Sequence, residues 1–231
     1  MTDFILVPGA WLGAWAWDEV AADLRAAGHA AQALTLSGLA EKKQLPAGQQ
    51  IHVQDIVEEV ERRELRDVVL VGHSYSGVPV GQAAERIGDR LRRVVFVDSN
   101  LPEDGVSFLD GFPSDHIRAA LDEREGVWPL LPAAAYAHQD LTDEQIARLI
   151  AEGTPHPAAT LTEPAVLGRP LAELPATYVK CGLDGRDPLP AVTEALRGGR
   201  WELVELKTGH WPMFSTPREL ARILDAAAAR R

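Results

Sequence analysis

A chain of 231 residues with 46% hydrophobic and 25% charged residues has the length and composition of one folded domain, which excludes a disordered, collagen-like or disulfide-scaffold protein. Its 34 acidic against 23 basic residues leave a formal charge of -11, a field that repels phosphate backbones and anionic lipid and argues against nucleic-acid binding. The single cysteine, Cys181, can form neither an internal disulfide nor a thiolate metal site alone, and no apolar run approaches the ~18 residues of a bilayer span, so the expectation is an unprocessed cytoplasmic chain off the membrane.

Residues 4–7, Phe-Ile-Leu-Val, form a short apolar run closed by Pro8-Gly9, as expected of a strand buried on both faces of a parallel sheet. Trp17, Val20, Ala21 and Leu24 then recur at helical spacing up to Gly28. Residues 31–36 are a further strand candidate, and 51–66 a helix with Val53, Ile56, Val57 and Val60 on one face. Strand 68–71, helix 79–87 and strand 94–97 follow, and after a long interval strand 176–181, helix 191–196, strand 203–206 and helix 216–229, the last with Pro217 near its start. This alternation predicts an α/β fold: a doubly wound, mostly parallel sheet of about six strands with right-handed crossovers and no N-terminal antiparallel hairpin. Residues 101–175 break it. They hold nine of the sixteen prolines and only helical signals, at 115–121 and at 142–150 with Thr142 as N-cap and Gln145 three residues on. The expected organisation is a core of residues 1–100 and 176–231 carrying an inserted helical cap, 101–175, of the kind that often forms a lid.

Strand 68–71 runs into Gly72-His73-Ser74-Tyr75-Ser76-Gly77 and then a helix, the setting of a nucleophile elbow. A serine held at so sharp a turn needs small residues two positions either side, here Gly72 and Ser76, the second standing where glycine is usual. A serine hydroxyl is a weak nucleophile until a base takes its proton, so Ser74 calls for a histidine and a carboxylate to orient it. His210 follows strand 203–206, on the side of a parallel sheet where ligand chemistry gathers. Asp184 lies three residues beyond Cys181 and is the leading acid; Asp98, directly ending strand 94–97, and Asp187 are its rivals. Two amides should face the developing oxyanion, that of Tyr75 after the nucleophile and that of Ala10 in the loop after the first strand.

Five blocks in order resemble a compact α/β-hydrolase group containing plant methylesterases, hydroxynitrile lyases and bacterial esterases: FILVPGAWLGAWAW at 4–17, VGHSYSG at 71–77, VDSNLPEDG at 97–105, the 178–184 loop and GHWPMF at 209–214. The resemblance implies Ser74 as nucleophile, His210 as base, Asp184 as acid, and Ala10 with Tyr75 as oxyanion donors. The group usually has His-Gly where Pro8-Gly9 stands. Its lyases carry threonine in place of Gly9 and lysine in place of Trp211, so the resemblance implies ester or lactone hydrolysis over cyanohydrin cleavage. A small-molecule receptor on the same scaffold is the alternative.

No metal or organic cofactor is called for, since the other six histidines lack ligand spacing and read as structural or solvated, His73 as a packing residue at the strand end. Trp11, Trp128, Tyr136 and Trp211 are the expected pocket residues, with Tyr75, Phe108 and Phe112 beside them, giving an apolar site with few charges for a small-molecule substrate. No heptad or edge-strand signal specifies an oligomer.

Overall fold

The computed structural model describes residues 1–112, 114–123 and 126–230. Its main sheet has six strands, β1 (Asp3–Val7), β2 (Ala30–Ala33), β3 (Val68–His73), β4 (Leu91–Val97), β7 (Ala176–Cys181) and β8 (Trp201–Leu206), in the order β2-β1-β3-β4-β7-β8. Every pairing is parallel. Successive residues of β1 serve opposite faces: Phe4 and Leu6 pack with helices α1 (Asp18–Ala26) and α10 (Pro217–Ala228), Ile5 and Val7 with α2 (Gln49–Arg62), α3 (Gly77–Arg86) and α8 (Pro190–Arg197). Strands covered on both sides need no polar alternation, which explains their continuous apolar sequence.

Two elements differ from the sequence reading. The second strand stops at Ala33 and only one further bond, from the Leu34 amide to the Leu6 carbonyl at 2.9 Å, prolongs its pairing. Helix α2 ends at Arg62 instead of 66, because Glu64 and Asp67 adopt positive φ of 53° and 60°, which no helix continues through.

Residues 101–175 form α4 (Phe108–Gly111), α5 (Asp115–Glu123), α6 (Asp143–Glu152) and α7 (Ala159–Thr162), with a small antiparallel pair, β5 (Val127–Trp128) and β6 (His156–Pro157), that the sequence did not announce. The capping box of α6 is formed: Thr142 Oγ1 accepts from the Gln145 amide at 3.2 Å and Gln145 Oε1 from the Thr142 amide at 2.9 Å. Polar bonds join this stretch to the rest of the chain: the Thr154 amide donates to the Trp11 carbonyl (2.8 Å), the Gln49 amide to Glu163 (2.6 Å), and the Gln145 side chain to the Phe214 carbonyl (2.6 Å). A last short helix, α9 (Pro212–Ser215), follows the loop of His210.

Candidate active site

The turn after β3 holds Ser74 at φ 56°, a left-handed backbone that serine adopts only where its surroundings impose it. Those surroundings are tight. A Cβ on Gly72 would lie 2.9 Å from Val80, and one on Gly77 would lie 2.1 Å from the Asn100 carbonyl. The closest backbone approach thus falls at Gly77, one place beyond the usual glycine, which frees position 76 for a serine. Its buried hydroxyl accepts from the His73 amide at 2.8 Å and has the Val7 and His73 carbonyls as acceptors, each at 2.9 Å, so it ties the turn to β1.

Ser74 Oγ lies 2.8 Å from His210 Nε2, and His210 Nδ1 lies 2.6 Å from Asp98 Oδ2. A carboxylate only accepts, so Nδ1 carries the ring proton and Nε2 offers its lone pair to the Ser74 hydroxyl. The acid in contact with His210 is therefore Asp98, and the expectation for Asp184 is corrected. The cause is topological: β4 lies beside β3, the strand of Ser74, whereas β7 lies one strand further away. Asp184 instead accepts from the Arg186 amide and from Lys180 Nζ, each at 3.0 Å, with 45% of its side chain exposed. Asp187 lines the cavity wall.

Asp98 itself sits at φ 42°, and its Oδ1 accepts from the Cys181 amide at 3.1 Å with Lys180 Nζ at 3.5 Å. Burial alone would raise its carboxyl, but the bond and charge of His210, the Lys180 ammonium and the Cys181 amide together hold it below the usual carboxylate range. Burial pushes the Cys181 thiol up, so the lone cysteine is an inert buried thiol.

The loop of His210 is fixed from two sides. Its backbone amide donates to Gln139 Oε1 at 2.8 Å, and its carbonyl accepts from His73 Nε2 at 2.7 Å. His73, read from sequence as packing, is thus a neutral ring bonded to the base's own backbone; burial first and the neighbouring His210 second push it down to about 3.

Gly9 presses on the turn: a Cβ there would come within 2.9 Å of Ser74 Cβ and 2.8 Å of His73 Nδ1. The next turn residue with positive φ is Trp11, at 68°, whose amide is taken by His156 Nδ1 at 3.3 Å. The Ala10 amide meets no acceptor among the described residues. Tyr75 is buried, its hydroxyl 2.9 Å from His52 Nδ1, so its side chain faces the core.

A cavity of about 390 Å³ opens over Ser74 and His210. Trp11 and Trp128, with ring centres 4.1 Å apart, line it with Phe108, Phe112 and Trp211. Tyr136 does not: it is buried behind Trp211 at 4.8 Å. The apolar surface is also one-sided. Lys180, Asp184, Arg186 and Asp187 bring charge to the wall that follows β7, against the expectation of few charges. Among the described residues no group of three or more His, Cys, Asp or Glu could hold a metal ion, and no helix is long and apolar enough to cross a membrane.

Lys180 and Gln139 were missed by sequence reasoning. Lysine inside the otherwise apolar run Ala-Thr-Tyr-Val-Lys-Cys was a usable signal, since a cation on a buried strand requires a carboxylate. Gln139 lies in a turn of the inserted stretch, where nothing local marks it.

Residues 4–223 match the alpha/beta hydrolase family. The carbendazim hydrolyzing esterase of Nocardioides sp. (strain SG-4G) is 34% identical over 98% of this chain and 99% of its own. Esterase PIR7B of rice (Oryza sativa subsp. japonica) is 39% identical over a shorter region, 43% of this chain and 39% of its own. Among solved structures, an extracellular alpha/beta-hydrolase from a Paenibacillus species, described as sharing structural and functional homology with tobacco salicylic acid binding protein 2, superposes with a TM-score of 0.86 at 24% identity, covering 98% of this chain and 99% of its own. The chain accordingly belongs to the alpha/beta hydrolase family, in its esterase group.

Proposed function

We propose that this carboxylic ester hydrolase acts on small, mainly apolar esters or lactones through an acyl-enzyme on Ser74. The observation that carries the reading is the unbroken chain from Ser74 Oγ to His210 (2.8 Å) to Asp98 (2.6 Å) at the floor of an aromatic cavity. Ser74 Oγ attacks the carbonyl carbon as its proton passes to His210 Nε2, and the carbonyl electron pair moves onto oxygen. The amides of Ala10 and Tyr75 are the donors for that oxyanion, each worth roughly 3 kcal/mol in the transition state. Asp98 stabilises the imidazolium. Collapse breaks the bond to the leaving oxygen, which takes the proton from His210; water then repeats the sequence and releases acid and free serine.

Residues 101–175 act as a cap that supplies the aromatic roof. Gly9 supports hydrolysis over lyase chemistry, since a side chain there has no room beside Ser74. The charge of -11 supports an uncharged small-molecule substrate over nucleic acid. The test is hydrolysis of p-nitrophenyl esters of increasing chain length by the native protein and by Ser74→Ala. Turnover that disappears with Ser74 supports the reading. Turnover that survives Ser74→Ala refutes it, and tight ligand binding without turnover in either protein would make this a receptor.

A further inference from the structure

Behind Asp98 lies a second charged pair that the hydrolytic sequence above does not use. Lys180 is only 9% exposed, and its ammonium has three acceptors for its three protons: Asp184 Oδ1 at 3.0 Å, Asp98 Oδ1 at 3.5 Å and the Cys181 carbonyl. An ammonium so placed fixes the far oxygen of Asp98, so that the other oxygen stays on His210. Lysine alone would be harmful. Its charge would cancel that of Asp98 and leave the imidazolium formed during reaction without a net counter-ion.

Asp184 removes that conflict. Asp98, Lys180 and Asp184 together carry a net charge of about −1, which the protonated ring of His210 brings to about zero. We propose that Lys180 is a positioning residue for Asp98, and that Asp184 is the counter-charge that lets a lysine occupy that place. The proposal rests on the hydrolase reading given above and deepens it. The other charged or titratable groups facing this cluster are Arg186 and Asp187 on the same loop, His73 at the end of β3, Glu205 paired in register with Lys180 on β8, and the buried Cys181 thiol and Tyr178 hydroxyl on β7.

The charge sum makes opposite predictions for the two partners. In Lys180→Met the cluster gains a net negative charge, the imidazolium is favoured, and the acid limb of activity moves to higher pH. In Asp184→Asn it loses one, and the limb moves to lower pH. The double variant restores the original sum and brings the limb back, while the rate stays below native because Asp98 is less firmly held.

The experiment measures the rate of Ser74 labelling by a fluorophosphonate from pH 4 to 9, with p-nitrophenyl butyrate turnover beside it. Expected are shifts of about half to one pH unit, upward for Lys180→Met and downward for Asp184→Asn, with a return to within about 0.2 unit in the double variant. Lys180→Arg, which keeps the charge, should leave the limb in place. Shifts of the same sign, or a double variant whose limb stays displaced from native by about half a unit or more, overturn the proposal. If Lys180→Met does not fold, an unmoved limb in Asp184→Asn overturns it alone, since Asp184 is half exposed and its variant should fold. Absence of Ser74 labelling in the native protein is a different failure, that of the hydrolase reading itself.

Discussion

Replacing Asp98 by asparagine should cost this protein most of its activity, and the size of the loss follows from the contact. Asp98 Oδ2 accepts the Nδ1 proton of His210 at 2.6 Å with 15% of its side chain exposed. Asparagine can instead donate there, which moves the ring proton to Nε2, so that Ser74 faces a donor where it needs an acceptor. The charge is lost as well: a carboxylate about 4 Å from the imidazolium centre is worth ~4 kcal/mol at an effective dielectric constant of ~20. Together the wrong tautomer and the missing charge should lower kcat about 10⁴-fold, or ~5.5 kcal/mol, with KM little changed. Asp184→Asn should lower it by about tenfold or less, because that carboxyl reaches His210 only through Lys180 and Asp98. The assay is steady-state hydrolysis of p-nitrophenyl butyrate, with thermal unfolding to confirm that both variants fold. Equal losses, or the deeper loss at Asp184, would refute the assignment of the acid.

Three further outcomes follow from the same geometry. Ser76→Ala strips the His73 amide of its buried acceptor and the Val7 carbonyl of its hydroxyl partner, and should lower stability by about 1–3 kcal/mol in urea titrations; an unchanged midpoint would show that the bond contributes nothing. Phe108 and Phe112 line both the cavity over Ser74 and an adjoining one of about 310 Å³, so Phe112→Ala should join the two and move ester preference toward longer chains, as read by kcat/KM from acetate to octanoate. His52, His73 and His156 are all held neutral by burial below their ordinary value of 6.5, so between the folded and unfolded values the unfolded chain binds more protons. Stability is therefore full above about pH 6.5 and falls with pH by up to ~1.4 kcal/mol per unit for each ring. For His73 the fall continues to about pH 3, and His73→Gln should remove about one proton from the uptake on unfolding between pH 6 and 4.

The sheet was legible because its signals are local and repeated. Apolar runs such as Val68-Val69-Leu70-Val71, closed by glycine or a polar residue, describe a strand covered on both faces whatever lies around it. Ser74 and His210 were legible for a related reason: each follows such a run, and parallel strands deliver all their following loops to one end of the sheet. The choice between Asp184 and Asp98 was not local. Both end a strand on that same end, and only the lateral order β3-β4-β7, which no run of residues encodes, decides which carboxyl meets a ring reaching over from β8. Tyr136 fails as a pocket residue on similar grounds, because an aromatic side chain in an irregular stretch serves equally well as its internal core. The pair β5 and β6 escaped because two residues are too few to show a period.

The hold of Gln139 on the loop of His210 bears on how this protein could diverge. A Cβ on Gly209 would lie 2.3 Å from the Gln139 carbonyl, so that turn and the base are fitted to one another at backbone range. The same stretch supplies His156 to the Trp11 amide and Thr154 to the amide of Ala40. A chimera that exchanged all of 101–175 for a relative's insert would lose the struts of the base and of the first loop along with the roof. Drift in substrate range is freer at Phe112 and His116, which line the cavity without anchoring His210 or the first loop, whereas Trp128 pairs with His156 and its carbonyl accepts from Trp11 Nε1 at 3.2 Å, so a graft that stops short of β5 keeps residues 127–157 as the fixed abutment.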